Sequence, residues 1–183
     1  MSGGGMMGGQ GNYNSSVNPI GIDQAANAAR SYLNGYGPGL RIAEVMEFAR
    51  NYYVEVEETD TGIHAMELLV DKYNGAVSPE PGPNMMWNAR YSMMSGMMGG
   101  YGRGQGTADA MPVSPERAME LAQQYLDSKM RGLVVAEADP FYGYYTLHTV
   151  KNGKIGGMLS VNGYTGAVWY HGWHGPFIEA GGI

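Results

Sequence analysis

The first half of this chain returns in the second half at a constant offset. Ile20-Gly21-Ile22-Asp23-Gln24-Ala25 falls on Val113-Ser114-Pro115-Glu116-Arg117-Ala118, a shift of 93 positions. The same shift carries Tyr32-Leu33 onto Tyr125-Leu126, Gly39-Leu40 onto Gly132-Leu133, Glu44 onto Glu137, Phe48 onto Phe141 and Tyr52 onto Tyr145. Further on the shift becomes 91, and the stretch from Val70 to Val77 falls on that from Val161 to Val168. One offset kept through a helical pattern and into strands predicts a duplicated module. The drop of two places a shorter hairpin turn in the second copy.

Each copy reads as a helix followed by three strands, an α+β unit. In the second copy Ser114 is an N-cap with Pro115 at the first helical position. Ala118, Leu121, Ala122, Tyr125 and Leu126 then recur at three- and four-residue spacing, one helix face. Ala25, Ala28, Ala29, Tyr32 and Leu33 fill the same positions in the first copy, so small side chains let that helix lie close on its sheet. Period-two alternation marks the strands: Leu40, Ile42, Met46 and Phe48; then Tyr52, Val54 and Val56; then Met66, Leu68 and Val70, matched by Gly157, Leu159 and Val161. Asp60-Thr61-Gly62 and Asn152-Gly153 are hairpin turns, and Asn74-Gly75 and Thr165-Gly166 turn the chain out of the third strand.

A capped helix, an antiparallel hairpin and a third strand ending Asp71-Lys72-Tyr73-Asn74-Gly75-Ala76-Val77 resembles the PepSY domain. The second copy has Asn162 where the aspartate would stand and keeps Tyr164-Thr165-Gly166-Ala167-Val168. The resemblance covers roughly residues 19–80 and 111–171. It implies a non-catalytic module, of a kind found in propeptides of thermolysin-like metallopeptidases and in small exported proteins, where it binds or inhibits. A peptidase is therefore one expected partner.

The expected organisation is a Gly/Met/Asn-rich tail over 1–18, a repeat over 19–84, a Met/Gly/Tyr-rich linker over 85–110, a second repeat over 111–175 and a closing tail over 176–183. With Lys+Arg 11 against Asp+Glu 17, the formal net charge of −6 and the lack of a basic run argue against nucleic acid. No stretch reaches the length of a membrane span. The absence of cysteine excludes disulfides, thiolate metal sites and a cysteine nucleophile. The first residues carry neither the basic nor the apolar region of a signal peptide. A start so rich in Gly, Ser and Asn reads as the mature tail of an exported protein, so an extracellular or periplasmic location is expected.

No HExxH, phosphate-binding glycine loop or Gly-x-Ser-x-Gly is present, and a non-enzyme is expected. No cofactor is expected beyond a metal ion. Clustered thioethers at Met93, Met94, Met97 and Met98 suit Cu(I), and His171 and His174 add imidazoles for copper or zinc. The competing readings are an adaptable Met/Gly packing strip and, for the histidines, a turn packed on Trp169, Tyr170 and Trp173. Glu55, Glu57, Glu58 and Asp60 read as a solvated outer strand face. Open sheet edges, low charge and abundant Tyr, Trp and Met favour self-association, with the chain's partner being itself in a filament or other polymer. The segments bearing Tyr13, Val17 and Ile20, and Phe177 and Ile178, are the candidate donor strands. An exported structural subunit is the first reading, a peptidase-binding module the second, and a Met/His copper protein the third.

Overall fold

The computed structural model describes residues 18–92 and 111–181. Helix α1 (Ile22–Leu33) continues as a single 3-10 turn over Asn34–Tyr36. Strands β1 (Leu40–Phe48), β2 (Asn51–Glu58), β3 (His64–Asp71) and β4 (Val77–Pro79) follow, then a one-turn helix α2 (Pro83–Met86). Beyond the linker come α3 (Pro115–Lys129), β5 (Val134–Pro140), β6 (Tyr144–Lys151), β7 (Lys154–Asn162), β8 (Val168–Tyr170) and β9 (Phe177–Gly181). The strands form two antiparallel sheets, ordered β4-β3-β2-β1-β9 and β5-β6-β7-β8. No helix among the described residues is long and apolar enough to cross a membrane.

Each sheet carries one helix. Ala25, Ala26, Ala29 and Leu33 of α1 bury against Ile42, Val45, Tyr52, Val54, Met66, Leu68 and Val70. Ala118, Ala122 and Leu126 of α3 bury against Tyr145, Leu147, Leu159 and Val161. The Ser114 hydroxyl caps α3 by accepting from the Arg117 N–H at 3.2 Å. The turns closing the third strands are built alike. Asp71 Oδ1 accepts from the N–H groups of Tyr73 and Asn74 (2.9 and 3.0 Å), and Asn162 Oδ1 accepts from those of Tyr164 and Thr165 (both 2.9 Å). An acceptor oxygen is all this turn needs, which is why asparagine serves where the first half has aspartate.

The sheet faces turned away from the helices meet each other, giving helix, sheet, sheet, helix. Met46, Phe48 and Tyr53 of the first sheet pack with Met158 of the second, beside Leu69, Ile155 and Phe177. Two sequence expectations change here. The apolar positions of β1 do not share one face: a bulge between Ile42 and Glu44 leaves Ile42 and Val45 under α1 and sends Met46 and Phe48 to the other side. The acidic run does not face water as a whole, since Glu55 and Glu58 are 3% and 7% exposed. The face that alternation assigns to solvent is largely the seam between the sheets.

The closing segment also differs from a free tail. Phe177–Gly181 is a strand of the first sheet, paired antiparallel with β1 of its own chain. Ile20 is likewise engaged at home: its N–H donates to the Lys72 carbonyl (2.7 Å) and its carbonyl accepts from the Tyr52 hydroxyl. The first residues of the expected linker are structured as well, with Asn88 buried and donating to the Ala65 carbonyl at 2.8 Å.

Candidate metal centre

Polar side chains buried in a seam between two sheets mostly find hydrogen-bond partners, and a chain of hydroxyls supplies them here. Glu67 is fully buried on β3. It accepts from the hydroxyls of Tyr53 (2.9 Å), Thr146 (2.8 Å) and Tyr144 (2.8 Å), the last two reaching across from the second sheet. Thr146 meets Ser160 at 2.9 Å, and Ser160 meets His171 Nε2 at 2.9 Å. Because the Thr146 hydroxyl donates to Glu67, it accepts from Ser160, and Ser160 in turn accepts from the ring of His171. That order places the proton of His171 on Nε2 and turns a bare Nδ1 the other way.

What Nδ1 faces is Glu80. This residue directly follows β4, and its N–H donates to the Glu67 carbonyl at 2.9 Å. His171 directly follows β8, and the Arg50 N–H holds the carbonyl of His174 at 3.0 Å. His174 Nδ1 lies 2.9 Å from Asn51 Oδ1, an oxygen that only accepts. His174 therefore carries its proton on Nδ1 and turns Nε2 towards Glu80. Nε2 stands 2.8 Å from Glu80 Oε1, and His171 Nδ1 stands 3.5 Å from the same oxygen. Neither contact has the direction of a hydrogen bond: His171 Nδ1, His174 Nε2 and Glu80 Oε2 are all buried without a hydrogen-bond partner. One ligand atom from each of the three residues lies within 4.8 Å of the others.

The rings have little freedom to turn. His171 stacks on Trp173 (4.8 Å between centroids), and His174 stacks on Phe48 (4.6 Å) with Tyr53 edge-on at 5.7 Å. The Trp173 indole N–H donates to Glu80 Oε1 at 2.9 Å. Gly82, at φ 79°, leaves room for this lid, since a Cβ there would meet the Trp173 ring at 3.0 Å. Burial acts to raise the pKa of Glu80, but the positive charge of His171 and His174, when both rings are protonated in the metal-free site, outweighs it and holds the carboxyl down at about 2. Burial and the Glu80 charge push Glu67 well up, against the Thr146 and Tyr144 hydroxyls. Two buried carboxyls thus carry opposite biases, upward at Glu67 and downward at Glu80.

Of the expected site residues, His171 and His174 come together. Met93, Met94, Met97 and Met98 lie outside the described residues, as do Tyr13 and Val17. Phe177 packs edge-on against Phe48 at 5.7 Å, and Ile178 is exposed. Glu80, Ser160, Thr146, Glu67 and Asn51 went unread in the sequence. The available signal was a glutamate between two prolines, Pro79-Glu80-Pro81, and polar residues alternating with Tyr and Met on supposedly wet faces.

No family model matches the chain, and no curated protein matches it. Among solved structures it is similar to the C-terminal domain of Bacillus megaterium YpeB, at 17% identity and a TM-score of 0.30, with 82% of this chain and 62% of that chain covered. The chain thus spans less than two thirds of that structure's length.

Proposed function

We propose that this chain is a non-enzymatic, exported metal-binding protein: two PepSY-like copies in tandem, closed face to face around a divalent ion held by Glu80, His171 and His174. The observation that carries this reading is a carboxylate and two imidazoles with ligand atoms within 4.8 Å of one another, while His171 Nδ1, His174 Nε2 and Glu80 Oε2 are all buried without a hydrogen-bond partner. Leaving such atoms unsatisfied costs about 1–3 kcal/mol each, and a cation accepting a lone pair from all three removes that cost. The other nitrogen of each ring is tied to Ser160 or Asn51, the outer support that metal-bound histidines have. Two nitrogens and one oxygen suit Zn²⁺, which accepts three protein ligands plus one further donor, better than Cu(I), which prefers thioethers. The ligand side chains are 1% exposed or less, so the ion is sealed from substrate-sized molecules and its role is structural or in storage.

The tandem reading is supported by contacts that recur at the sequence offsets. The Tyr52 hydroxyl donates to the Ile20 carbonyl, and the Tyr145 hydroxyl donates to the Val113 carbonyl at 2.8 Å. The Ile20 N–H donates to Lys72 and the Val113 N–H to Gly163.

Calorimetric titration of the chelator-treated full-length chain with Zn²⁺ tests the proposal. One ion per chain is expected, with binding abolished in Glu80→Gln and His174→Gln and weakened about 10- to 100-fold in Asn51→Ala. Leucine at 93, 94, 97 and 98 is expected to leave Zn²⁺ affinity unchanged. Wild-type binding no tighter than that of the Glu80→Gln chain overturns it.

A further inference from the structure

The connection that carries both histidines also delivers the last strand. Residues 171–176 leave β8 in the second sheet and bring β9 to the edge of β1 in the first. β9 is lightly held. Ile178, Glu179 and Ala180 are exposed, and its side-chain grip is Phe177 against Phe48 and the close approach of Gly181 to Ile22. In the ladder Glu179 stands opposite Glu47, whose charge is shared with Lys72, so the pairing gains no opposite-charge partner across the strands. The connection upstream of the strand is held by backbone hydrogen bonds from Arg50 and Ala49 to the His174 and Pro176 carbonyls and by the Trp173 indole on Glu80, and its two histidines add their reach to Glu80 and Asn51.

A β1 strand without β9 is a bare edge, and a bare edge accepts any strand of suitable pattern, a second copy's β9 above all. Six extended residues span up to about 20 Å, enough for the connection to swing outward. Building on the metal reading of Glu80, His171 and His174, we propose that the ion is a clasp committing β9 to its own chain. Without the ion, β9 of one copy adds to β1 of the next. The partner is a second copy of this chain, and the exchange either closes reciprocally as a dimer or runs head to tail into longer oligomers.

The absence of native cysteine makes the exchange directly readable. Glu47→Cys and Glu179→Cys in one full-length chain place thiols on paired residues of β1 and β9, where neighbouring Cα atoms are close enough for a disulfide. Oxidised with Zn²⁺ bound, this chain is expected to cross-link within itself and run as a monomer on a non-reducing gel. After chelation it is expected to give interchain cross-linked dimers or ladders. Light scattering of the unmodified chain checks the same point without cysteines: a 19.7 kDa particle with Zn²⁺, and concentration-dependent multiples of it without. Intrachain cross-links and a monomer under both conditions, with calorimetric Zn²⁺ binding intact, overturn the clasp and leave the metal site standing. Failure of the unmodified chain to bind Zn²⁺ overturns both.

Discussion

Glu67 shows what a single residue does in the seam. Its carboxylate gathers three hydroxyls from both sheets, so Tyr144→Phe strips one buried oxygen of its donor without opening a cavity. The expected loss is about 1–3 kcal/mol in urea unfolding. Thr146→Val removes a donor to the same carboxylate and also cuts the line to Ser160 and His171, so it is expected to lower Zn²⁺ affinity where Tyr144→Phe does not. A second polar group behaves differently with pH. Glu44 and Asp139 both feel the charges of Glu55 and His64, and Glu44 also feels Asp139, with Glu57 acting on His64, Glu137 acting on Asp139 and His148 close to Glu44. Burial first, then the neighbouring carboxylates, raise both to about 7, against the pull of His64. Carboxyl groups raised on folding stabilise the fold below their unfolded pKa values, and that stability is lost as pH rises through the folded ones. The metal-free protein is therefore expected to lose urea resistance between about pH 4 and pH 7. The slope should flatten in a Glu44→Gln/Asp139→Asn chain; an unchanged slope would place the titration elsewhere.

At the scale of elements, the turns and caps carry their own tests. Asn162→Ala removes both hydrogen bonds that close the turn after β7 and is expected to cost about 1–3 kcal/mol. Asn162→Asp keeps the acceptor and is expected to restore most of it. Gly82→Ala forces a side chain into a left-handed backbone position and against Trp173, so it should loosen the indole over Glu80 as well as destabilise. These elements are the part of the molecule that the sequence makes legible. The Ser114-Pro115 cap, the alanine-rich helix faces and the Asx turns are local, and local chemistry sets them. The bulge in β1 is not local: the alternation over Leu40, Ile42, Met46 and Phe48 is interrupted by Glu44 and Val45, and only pairing with β2 shows that the interruption is an inserted residue. The seam stayed hidden for a related reason. A strand face bearing Glu55, Glu67, Thr146 and Ser160 matches a wet surface by polarity, and it is buried only because a second sheet offers hydroxyls in register with its carboxylates. His171 and His174 were visible by spacing, whereas Glu80 joins them from the other half with no sequence relation to signal it.

The described residues form two helix-backed sheets whose inner faces hold a shared polar network, with β9 returned to the first sheet. Since both sheets contribute to one buried network, they are expected to unfold in a single transition rather than in two. Zn²⁺ at a hundred times its dissociation constant is expected to add about 2.7 kcal/mol to that transition, and Glu80→Gln should abolish the gain. The central claim is that an ion sits on one carboxylate and two imidazoles. X-ray absorption at the zinc edge, on the full-length chain loaded with one equivalent and dialysed, tests it most directly. The account predicts a retained ion with a nitrogen/oxygen shell at about 2.0–2.1 Å, imidazole scattering and no sulfur. Loss of the zinc on dialysis, or a sulfur shell from methionine, would contradict it.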